Sequence, residues 1–252
     1  MSTQTLTQLR QLKLGGMAAS LQQQLEQPGT YESLAFVERL DLLLAQEHLS
    51  RQQRKQARLI RQARFKLHAT VAQIDYQHPR HISPSQIATL AQSDWLSRAQ
   101  NLLITGPCGS GKTYLACALG HNACLHGWVV RYYRLSRLLL EMTQAKADGS
   151  YPRLLQQLAK IDLLIIDDWG LEPLKAAERN DLLEIMDDRH QSRSTLMISQ
   201  LPTDQWYASI GDNTLADAIL DRLMHNAHRL PLKGESMRKT HGGLTQDEHL
   251  KA

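Results

Sequence analysis

Aromatic residues and cysteines are scarce in this sequence, and long apolar runs are missing. Only 5% of the 252 residues are aromatic, and the three cysteines are Cys108, Cys117 and Cys124. They show no Cys-x-x-Cys spacing, so neither a disulfide framework nor a zinc site is expected. No stretch reaches the ~18 to 20 apolar residues that span a bilayer, and the opening residues lack the apolar run of a secretion signal. The sequence therefore predicts a cytoplasmic protein without a membrane partner.

A strong excess of one charge is also missing, but the basic residues are unevenly distributed. The formal net charge is +4; residues 1–99 hold 12 basic and 7 acidic side chains, whereas residues 100–252 hold 17 and 18. Residues 51–66 hold seven basic side chains and no acidic one. The three- and four-residue steps between several of these arginines indicate one side of a helix. Such a face is either simply solvated or in contact with an anionic partner, and duplex DNA offers the matching row of phosphates. The predicted DNA-contacting residues are Arg51, Arg54, Lys55, Arg58, Arg61, Arg64 and Lys66.

The spacing of apolar residues divides the chain into two kinds of structure. Apolar residues recur at helical spacing over 14–25 and again over 34–44, with Pro28-Gly29 between them. Ser83-Pro84 is typical of a helix N-cap followed by proline at the first helical position. Beyond residue 100, short apolar runs alternate with helical segments, which predicts an α/β protein with a parallel sheet. The predicted strands are 101–105, 129–133, 162–167, 195–199 and 229–232.

One loop has the pattern G-x-x-x-x-G-K-[ST] of a phosphate-binding loop. It follows the strand LLIT and precedes an apolar helix, which is the expected context. Backbone N–H groups of such a loop surround phosphate oxygens, the lysine neutralises the outer phosphates, and the hydroxyl can ligate Mg²⁺. The predicted ATP-binding residues are Gly106, Pro107, Cys108, Gly109, Ser110, Gly111, Lys112 and Thr113.

Two acidic residues end a later apolar run. Leu163 to Ile166 leads directly into Asp167 and Asp168. Ligands of parallel sheets bind at the carboxyl ends of the strands, so these carboxylates are expected beside the phosphates. Asp167 is the predicted magnesium partner, together with Thr113. Asp168 is predicted to orient or polarise the attacking water.

Two further candidates lie closer to the C-terminus. The strand 195–199 ends in Ser199-Gln200, so the Gln200 amide can face the γ-phosphate. Arg222 has two interpretations: a surface pair with Asp217 or Asp221 on its own helix, or an arginine finger that reaches the ATP of the next subunit.

Several motifs together resemble a known family. NLLITGPCGSGKT, DLLIIDDWG, ISQLP and AILDRLMHNAHRLPLKGESMR, with the helical N-terminus, are similar to the IstB family of insertion-sequence helper proteins, AAA+ proteins near the DnaC helicase loader. The resemblance covers nearly the whole chain. It implies an AAA+ P-loop NTPase fold with a central five-stranded parallel sheet. It also implies an ATP-dependent homo-oligomer that assembles on duplex DNA, deforms it, and recruits and stimulates a transposase.

The resemblance also implies roles for single residues. It places the Walker A loop on residues 106–113, Walker B on Asp167 and Asp168, sensor 1 on Ser199-Gln200 and the arginine finger on Arg222. Arg238 would be a late phosphate-sensing arginine of the nucleotide site. Relatives commonly have Asn where this chain has Gln200. The implied domains are a helical region at 1–68, for oligomerisation and DNA contact, and an ATPase domain at 69–252 whose C-terminal lid is reduced or absent.

Three other functions remain open at this stage. One is a binding module that uses ATP only as a structural switch and needs no turnover. A DnaC-like loader of a replicative helicase would share the same ATP chemistry. A P-loop kinase would transfer phosphate to a small acceptor, and the paired acids and Arg222 argue against it.

Overall fold

The computed structural model describes residues 2–234, 236 and 237. The chain divides into two compact units, Met1–Arg58 and Leu59–Ala252. This division lies earlier than the domain boundary predicted at residues 68 and 69. Among the described residues, no helix is both long enough and apolar enough to cross a membrane.

The N-terminal part of the chain is helical, as predicted. A short loop that contains Lys13 separates the first two helices, and Pro28 begins the third. The basic segment from Arg51 and the helical pattern over 34–44 belong to one continuous helix, of which the basic segment is the second half. That helix ends at Ala63, so Arg64 and Lys66 lie beyond it. The four helices are α1 (Ser2–Gln11), α2 (Gly15–Glu26), α3 (Pro28–Tyr31) and α4 (Phe36–Ala63).

A buried carboxylate joins α2 to α4 within the N-terminal unit. Glu47, on α4, is 6% exposed and accepts hydrogen bonds from the backbone N–H groups of Gly16 at 2.7 Å and Met17 at 3.2 Å. Glu47 therefore satisfies two N–H groups in the first turn of α2 that have no partner inside that helix. A side chain at Gly16 would lie 2.6 Å from the Gln46 carbonyl oxygen, so only glycine permits this close approach.

The second unit is built on a five-stranded sheet with the order β2-β3-β4-β1-β5 and parallel pairing throughout. This confirms the predicted sheet. Side chains alternate between its faces: Leu102 and Ile104 of the first strand belong to one buried cluster, and Leu103 belongs to the other. The strands are β1 (Asn101–Thr105), β2 (Val130–Arg134), β3 (Leu163–Trp169), β4 (Ser194–Ser199) and β5 (Ala227–Pro231).

Helices cover both faces of this sheet. Ser83 begins the first of them as predicted, because its hydroxyl accepts the Gln86 N–H at 3.1 Å in a capping box. Two helices fill the long connection from β2 to β3. The helices are α5 (Pro84–Ala91), α6 (Asp94–Ser97), α7 (Lys112–Leu125), α8 (Leu135–Asp148), α9 (Tyr151–Ala159), α10 (Ala176–Arg189), α11 (Trp206–Ile210) and α12 (Asn213–Met224).

Candidate nucleotide site

The phosphate-loop pattern lies in the predicted strand–loop–helix context. It connects the end of β1 at Thr105 to the start of α7 at Lys112. Gly111 has a φ of +88°, and a side chain there would lie 2.4 Å from Nη1 of Arg80. Glycine is therefore required at this position for the backbone conformation and for space. The loop brings its backbone and the N-terminus of α7 to the carboxyl edge of the sheet, where anions bind.

The loop lysine lies over its own backbone. Nζ of Lys112 donates hydrogen bonds to the carbonyl oxygens of Gly106 at 2.7 Å and Pro107 at 2.8 Å. Lys112 is 8% exposed, so the chain holds its ammonium group inside the loop rather than in solvent. The positive charge therefore lies within the loop, at the wall of the cavity described below.

A β-bulge in β3 separates the two acidic side chains. Ile166 is paired with Met197, whereas Trp169 is paired with Ser199, so β3 has one more residue than β4 over this interval. Asp168 has a φ of +67° at the bulge. Asp167 is 2% exposed, whereas the Asp168 side chain is 33% exposed. The bulge thus gives two neighbouring carboxylates different surroundings.

Asp167 lies against the start of α7 and against β2. Its Oδ2 accepts hydrogen bonds from the Thr113 hydroxyl at 2.8 Å and from the Tyr132 hydroxyl at 2.6 Å. Burial, together with the Asp167 carboxylate, raises the pKa of Tyr132, so Tyr132 remains a donor. Mg²⁺ is held in proteins by one or two carboxylate or hydroxyl oxygens, with water and phosphate as its other ligands. The oxygens of Thr113 and Asp167 fit such an ion.

Asp168 and Gln200 lie at the open side of the site. Nε of Arg134, the last residue of β2, is 3.6 Å from Oδ2 of Asp168. The Ser199 hydroxyl donates to the Trp169 carbonyl oxygen at 2.8 Å and accepts the Leu201 N–H at 3.0 Å. Ser199 therefore holds the end of β4, whereas Gln200 faces the cavity.

These elements enclose one cavity of about 670 Å³. Such a volume is in the range of sites for nucleotide-sized molecules. Four cationic side chains line it, Lys66, Arg80, Lys112 and Arg134, against the three acidic side chains Asp75, Asp167 and Asp168. The cavity therefore suits an anionic ligand. Among the residues predicted for the nucleotide site, it is lined by Cys108, Gly109, Gly111, Lys112, Thr113, Asp167, Asp168, Ser199 and Gln200.

Sequence reasoning missed several residues of this cavity. Arg80 is 2% exposed; its guanidinium donates to the Ser110 carbonyl oxygen at 3.4 Å, and burial lowers its pKa. It supports the phosphate loop from a segment that carries no motif. Arg134 lies beside Asp167 in the strand register, so the rule that ligands bind at the carboxyl ends of strands could have found it. Lys66, which lines the cavity, and Tyr132, which donates to Asp167 from outside the lining, gave no sequence signal for this site.

Arg222 is outside this cavity. Its Nε pairs with Oδ1 of Asp187 on α10, and its Nη1 donates to the Ala218 carbonyl oxygen at 2.8 Å. The partner is therefore neither Asp217 nor Asp221, which the surface-pair interpretation named. Arg222 lines a separate cavity of about 320 Å³. Arg238 lies outside the described residues.

The basic residues of α4 do not form one uniform row. Oε1 of Glu47 lies 2.7 Å from Nε of Arg51 and 3.4 Å from Nη2 of Arg54, so an acidic side chain on the same helix partly neutralises these two. The side chains of Lys55, Arg58 and Arg61 are exposed. Lys66 lies beyond the end of α4 and lines the nucleotide cavity.

The sequence matches a protein family over most of its length. A family model described as "IstB-like ATP binding protein" matches residues 7–244. An insertion-sequence ATP-binding protein of Sinorhizobium fredii is 45% identical over 235 residues, which are 93% of this chain and 96% of that protein. The ATP-binding protein of insertion sequence IS1162 from Pseudomonas fluorescens is 50% identical over 204 residues, 81% of this chain and 88% of that protein.

Solved structures with a similar fold belong to proteins of DNA replication. The crystal structure of the DnaC helicase loader aligns with a TM-score of 0.54 at 18% identity, covering 66% of this chain and 97% of the loader. The AMPPCP-bound DnaA of Aquifex aeolicus aligns with a TM-score of 0.57 at 16% identity, covering 75% of this chain and 58% of that one. At these identities the likeness concerns the fold alone, and it is the AAA+ fold that the sequence predicts. With the phosphate loop, the paired acids and the parallel sheet in place, the chain belongs to the IstB-like family of ATP-binding proteins of insertion sequences.

Proposed function

We propose that this protein hydrolyses ATP in the cavity at the carboxyl edge of the sheet and uses the cycle to act on duplex DNA during transposition. The observation that carries the proposal is the convergence of the phosphate loop, Asp167 and Asp168 on one cavity lined by four cations. A protein that only stored a nucleotide would need the loop and the metal ligand. It would not need a second, more exposed carboxylate beside them.

In this proposal the buried and exposed carboxylates have different roles. Thr113 and Asp167 hold Mg²⁺, which would neutralise charge on the phosphate oxygens. Asp168 accepts a hydrogen bond from the attacking water and increases its nucleophilicity. Gln200 orients that water or the terminal phosphate from the neighbouring strand. Lys112 and the backbone of residues 106–113 bind the phosphates.

A complete site would include a second copy of the chain. Arg222 pairs with Asp187 and lies outside the nucleotide cavity of its own chain. Its proposed role is therefore toward the ATP of the next subunit. A preparation of Arg222→Ala should then bind ATP without hydrolysing it. Mixing it with Lys112→Ala protein should restore part of the activity at hybrid interfaces. Full hydrolysis by Arg222→Ala alone would leave Arg222 as a partner of Asp187.

The proposed DNA contact is the exposed cationic face of α4. Phosphates of duplex DNA would pair with Lys55, Arg58 and Arg61, which have no acidic side chain within residues 51–66. Contacts of this kind give affinity without base specificity. The N-terminal region, residues 1–68, also has the proposed role of joining subunits. The cytoplasm is the proposed location.

The proposed partner is the transposase of the same insertion element. Support comes from the relatives, whose names place them in insertion sequences. A helicase loader would bind a replicative helicase instead, so a pull-down with each purified candidate distinguishes the two functions. Release of free phosphate, rather than a phosphorylated small acceptor, distinguishes both from a kinase.

The decisive experiment measures ATP hydrolysis with and without duplex DNA, while light scattering follows the size of the assembly. We expect DNA to raise turnover and to favour the larger species. The variant Lys55→Ala/Arg58→Ala/Arg61→Ala should lose this stimulation and bind all DNA sequences more weakly. The slope of log affinity against log salt should become shallower by up to ~0.9 per lost phosphate contact. An unaltered salt slope would place the DNA surface elsewhere.

A further inference from the structure

The segment that follows α4 packs against one buried apolar cluster of the second unit. Ala63 and Ala69, which flank the segment in the sequence, are both buried, at 0% and 2% exposed. Arg64 has a φ of +55°, which turns the chain away from the helix direction. Phe65 fills the space beside Gly120 on α7, where a Cβ would lie 2.7 Å from the Phe65 ring. The backbone of Lys66 is therefore fixed by packed neighbours.

The side chain of Lys66 enters the nucleotide cavity from this fixed point. Its Nζ lies 3.9 Å from Oδ2 of Asp167, and its side chain is 31% exposed. That distance is too long for a hydrogen bond. The reason is visible at Asp167, since Oδ2 already accepts hydrogen bonds from Thr113 and Tyr132. Two donors match the two lone pairs of that oxygen. Lys66 therefore interacts with the Asp167 carboxylate through charge alone, without a hydrogen bond.

This arrangement leaves Lys66 suited to a stronger acceptor. Within the described part of the chain, the ammonium lies near a carboxylate but forms no hydrogen bond with it. A phosphate oxygen would provide both the negative charge and the acceptor. The Lys112 ammonium is at the opposite end of the phosphate loop, bound to Gly106 and Pro107. The two lysines thus approach the phosphate-binding region from different elements.

We propose that Lys66 is a second polyphosphate-binding lysine of this site, contributed by the segment after α4 and acting on the terminal phosphate. The inference rests on the proposed ATP site. It gives that site a cation from outside the phosphate loop, and it assigns Lys66 to nucleotide rather than to DNA. Binding of the terminal phosphate would draw the ammonium from Asp167 and leave that carboxylate to the metal.

Calorimetric titration of the full-length protein with ATP and with ADP, both with Mg²⁺, tests this role. We expect Lys66→Gln to weaken ATP binding about tenfold or more, the range of a lost charge-assisted hydrogen bond, and to weaken ADP binding much less. Lys66→Arg should retain most of the ATP affinity because it keeps the charge. Lys160→Gln removes an exposed lysine at the end of α9 and should leave both affinities unchanged.

Other outcomes overturn the inference. Unchanged or tighter ATP binding by Lys66→Gln would leave Lys66 as a counter-ion of Asp167 only. Equal weakening of ATP and ADP would indicate a change in cavity shape, as would failure of Lys66→Arg to retain affinity. Lys112→Ala is measured in parallel: if it also binds ATP normally, the proposed site itself fails, whereas loss of binding by Lys112→Ala alone removes only the role of Lys66.

Discussion

The two units of this protein differ in the polarity of their buried side chains. In residues 59–237 the described core consists of apolar clusters on both faces of the sheet, with Leu103, Leu115 and Ile165 almost fully buried. In residues 2–58 the described buried side chains are Ala18, Gln24 and Glu47, two of them polar. Large apolar residues of the same unit, such as Phe36 at 78% and Val37 at 63% exposed, remain in contact with solvent.

This difference shows that the two units depend on different physical forces. Burial of apolar surface stabilises the second unit, Leu59–Ala252, called the ATPase unit below after its proposed activity, and depends little on pH. The N-terminal unit has few residues with which to build such a core. Its helices are joined by polar contacts, such as the hydrogen bond from the Arg39 guanidinium to the Gln24 side chain at 3.0 Å. Its uncovered apolar residues agree with the proposal that this region joins subunits.

The largest expected effect is a loss of ATP turnover in the ATPase unit that leaves its packing intact. Asp168→Asn should lower ATP turnover about 10²- to 10⁴-fold, because the base beside the water is lost, while ATP affinity is retained. Asparagine tolerates the positive φ of this position, so the bulge should persist. Steady-state phosphate release and calorimetric ATP binding measure the two quantities. Asp204→Asn, at an exposed site, serves as control. Wild-type turnover would make Asp168 a structural residue of the bulge.

Truncation of the sheet core tests the apolar half of the comparison. Ile165→Ala should destabilise the ATPase unit by about 2–5 kcal/mol, because Ile165 is 0% exposed and truncation of its side chain leaves a cavity. Ile165→Val should cost about 0.5–1.5 kcal/mol. Denaturant unfolding followed by tryptophan fluorescence reports this unit alone, because all four tryptophans lie between residues 95 and 206. Equal effects of the two variants would mean that the site repacks without a cavity.

Removal of the buried carboxylate tests the polar half. Glu47→Ala should lower the local stability of α2 by about 1–3 kcal/mol, because the N–H groups of Gly16 and Met17 lose their acceptor. Hydrogen exchange of residues 15–26 should become faster, while tryptophan fluorescence of the ATPase unit stays unchanged. Glu32→Ala, at an exposed position, is the matched control. If α2 exchanges at the wild-type rate, Glu47 does not hold the unit together.

The smallest effect is a pH dependence confined to the N-terminal unit. The hydrogen bond from Arg51, with the backbone N–H groups of Met17 and Gly16, holds the pKa of Glu47 below its ordinary value of 4.5. A lowered folded-state pKa means that this stabilisation is fully present above pH 4.5 and is lost as the pH falls through the lower value. Protection of α2 in the wild type should therefore approach that of Glu47→Gln in acid. A constant difference from pH 7 to pH 3 would contradict the assignment.

Local features of the nucleotide site could be predicted because they depend on neighbouring residues. The strand, the loop from Gly106 to Thr113 and the following helix need only an apolar run, glycines and helix-forming residues in order. Alternation of strands and helices predicted the parallel sheet, and the Ser83 cap needs only its own hydroxyl and the next turn. The Asp167 and Asp168 pair was predicted to lie at the same edge because parallel strands share their carboxyl ends.

The sequence by itself therefore determined the sheet, the phosphate loop and the acidic strand end, since each is specified by spacing over a few residues. Only the tertiary structure decided which distant side chains complete the cavity. Lys66 and Arg80 line it, and Tyr132 bonds Asp167 from behind it, because chain segments far apart in sequence pack at the same sheet edge. The bulge that separates Asp167 from Asp168 arises from pairing with β4, a relation between two strands that no single segment encodes.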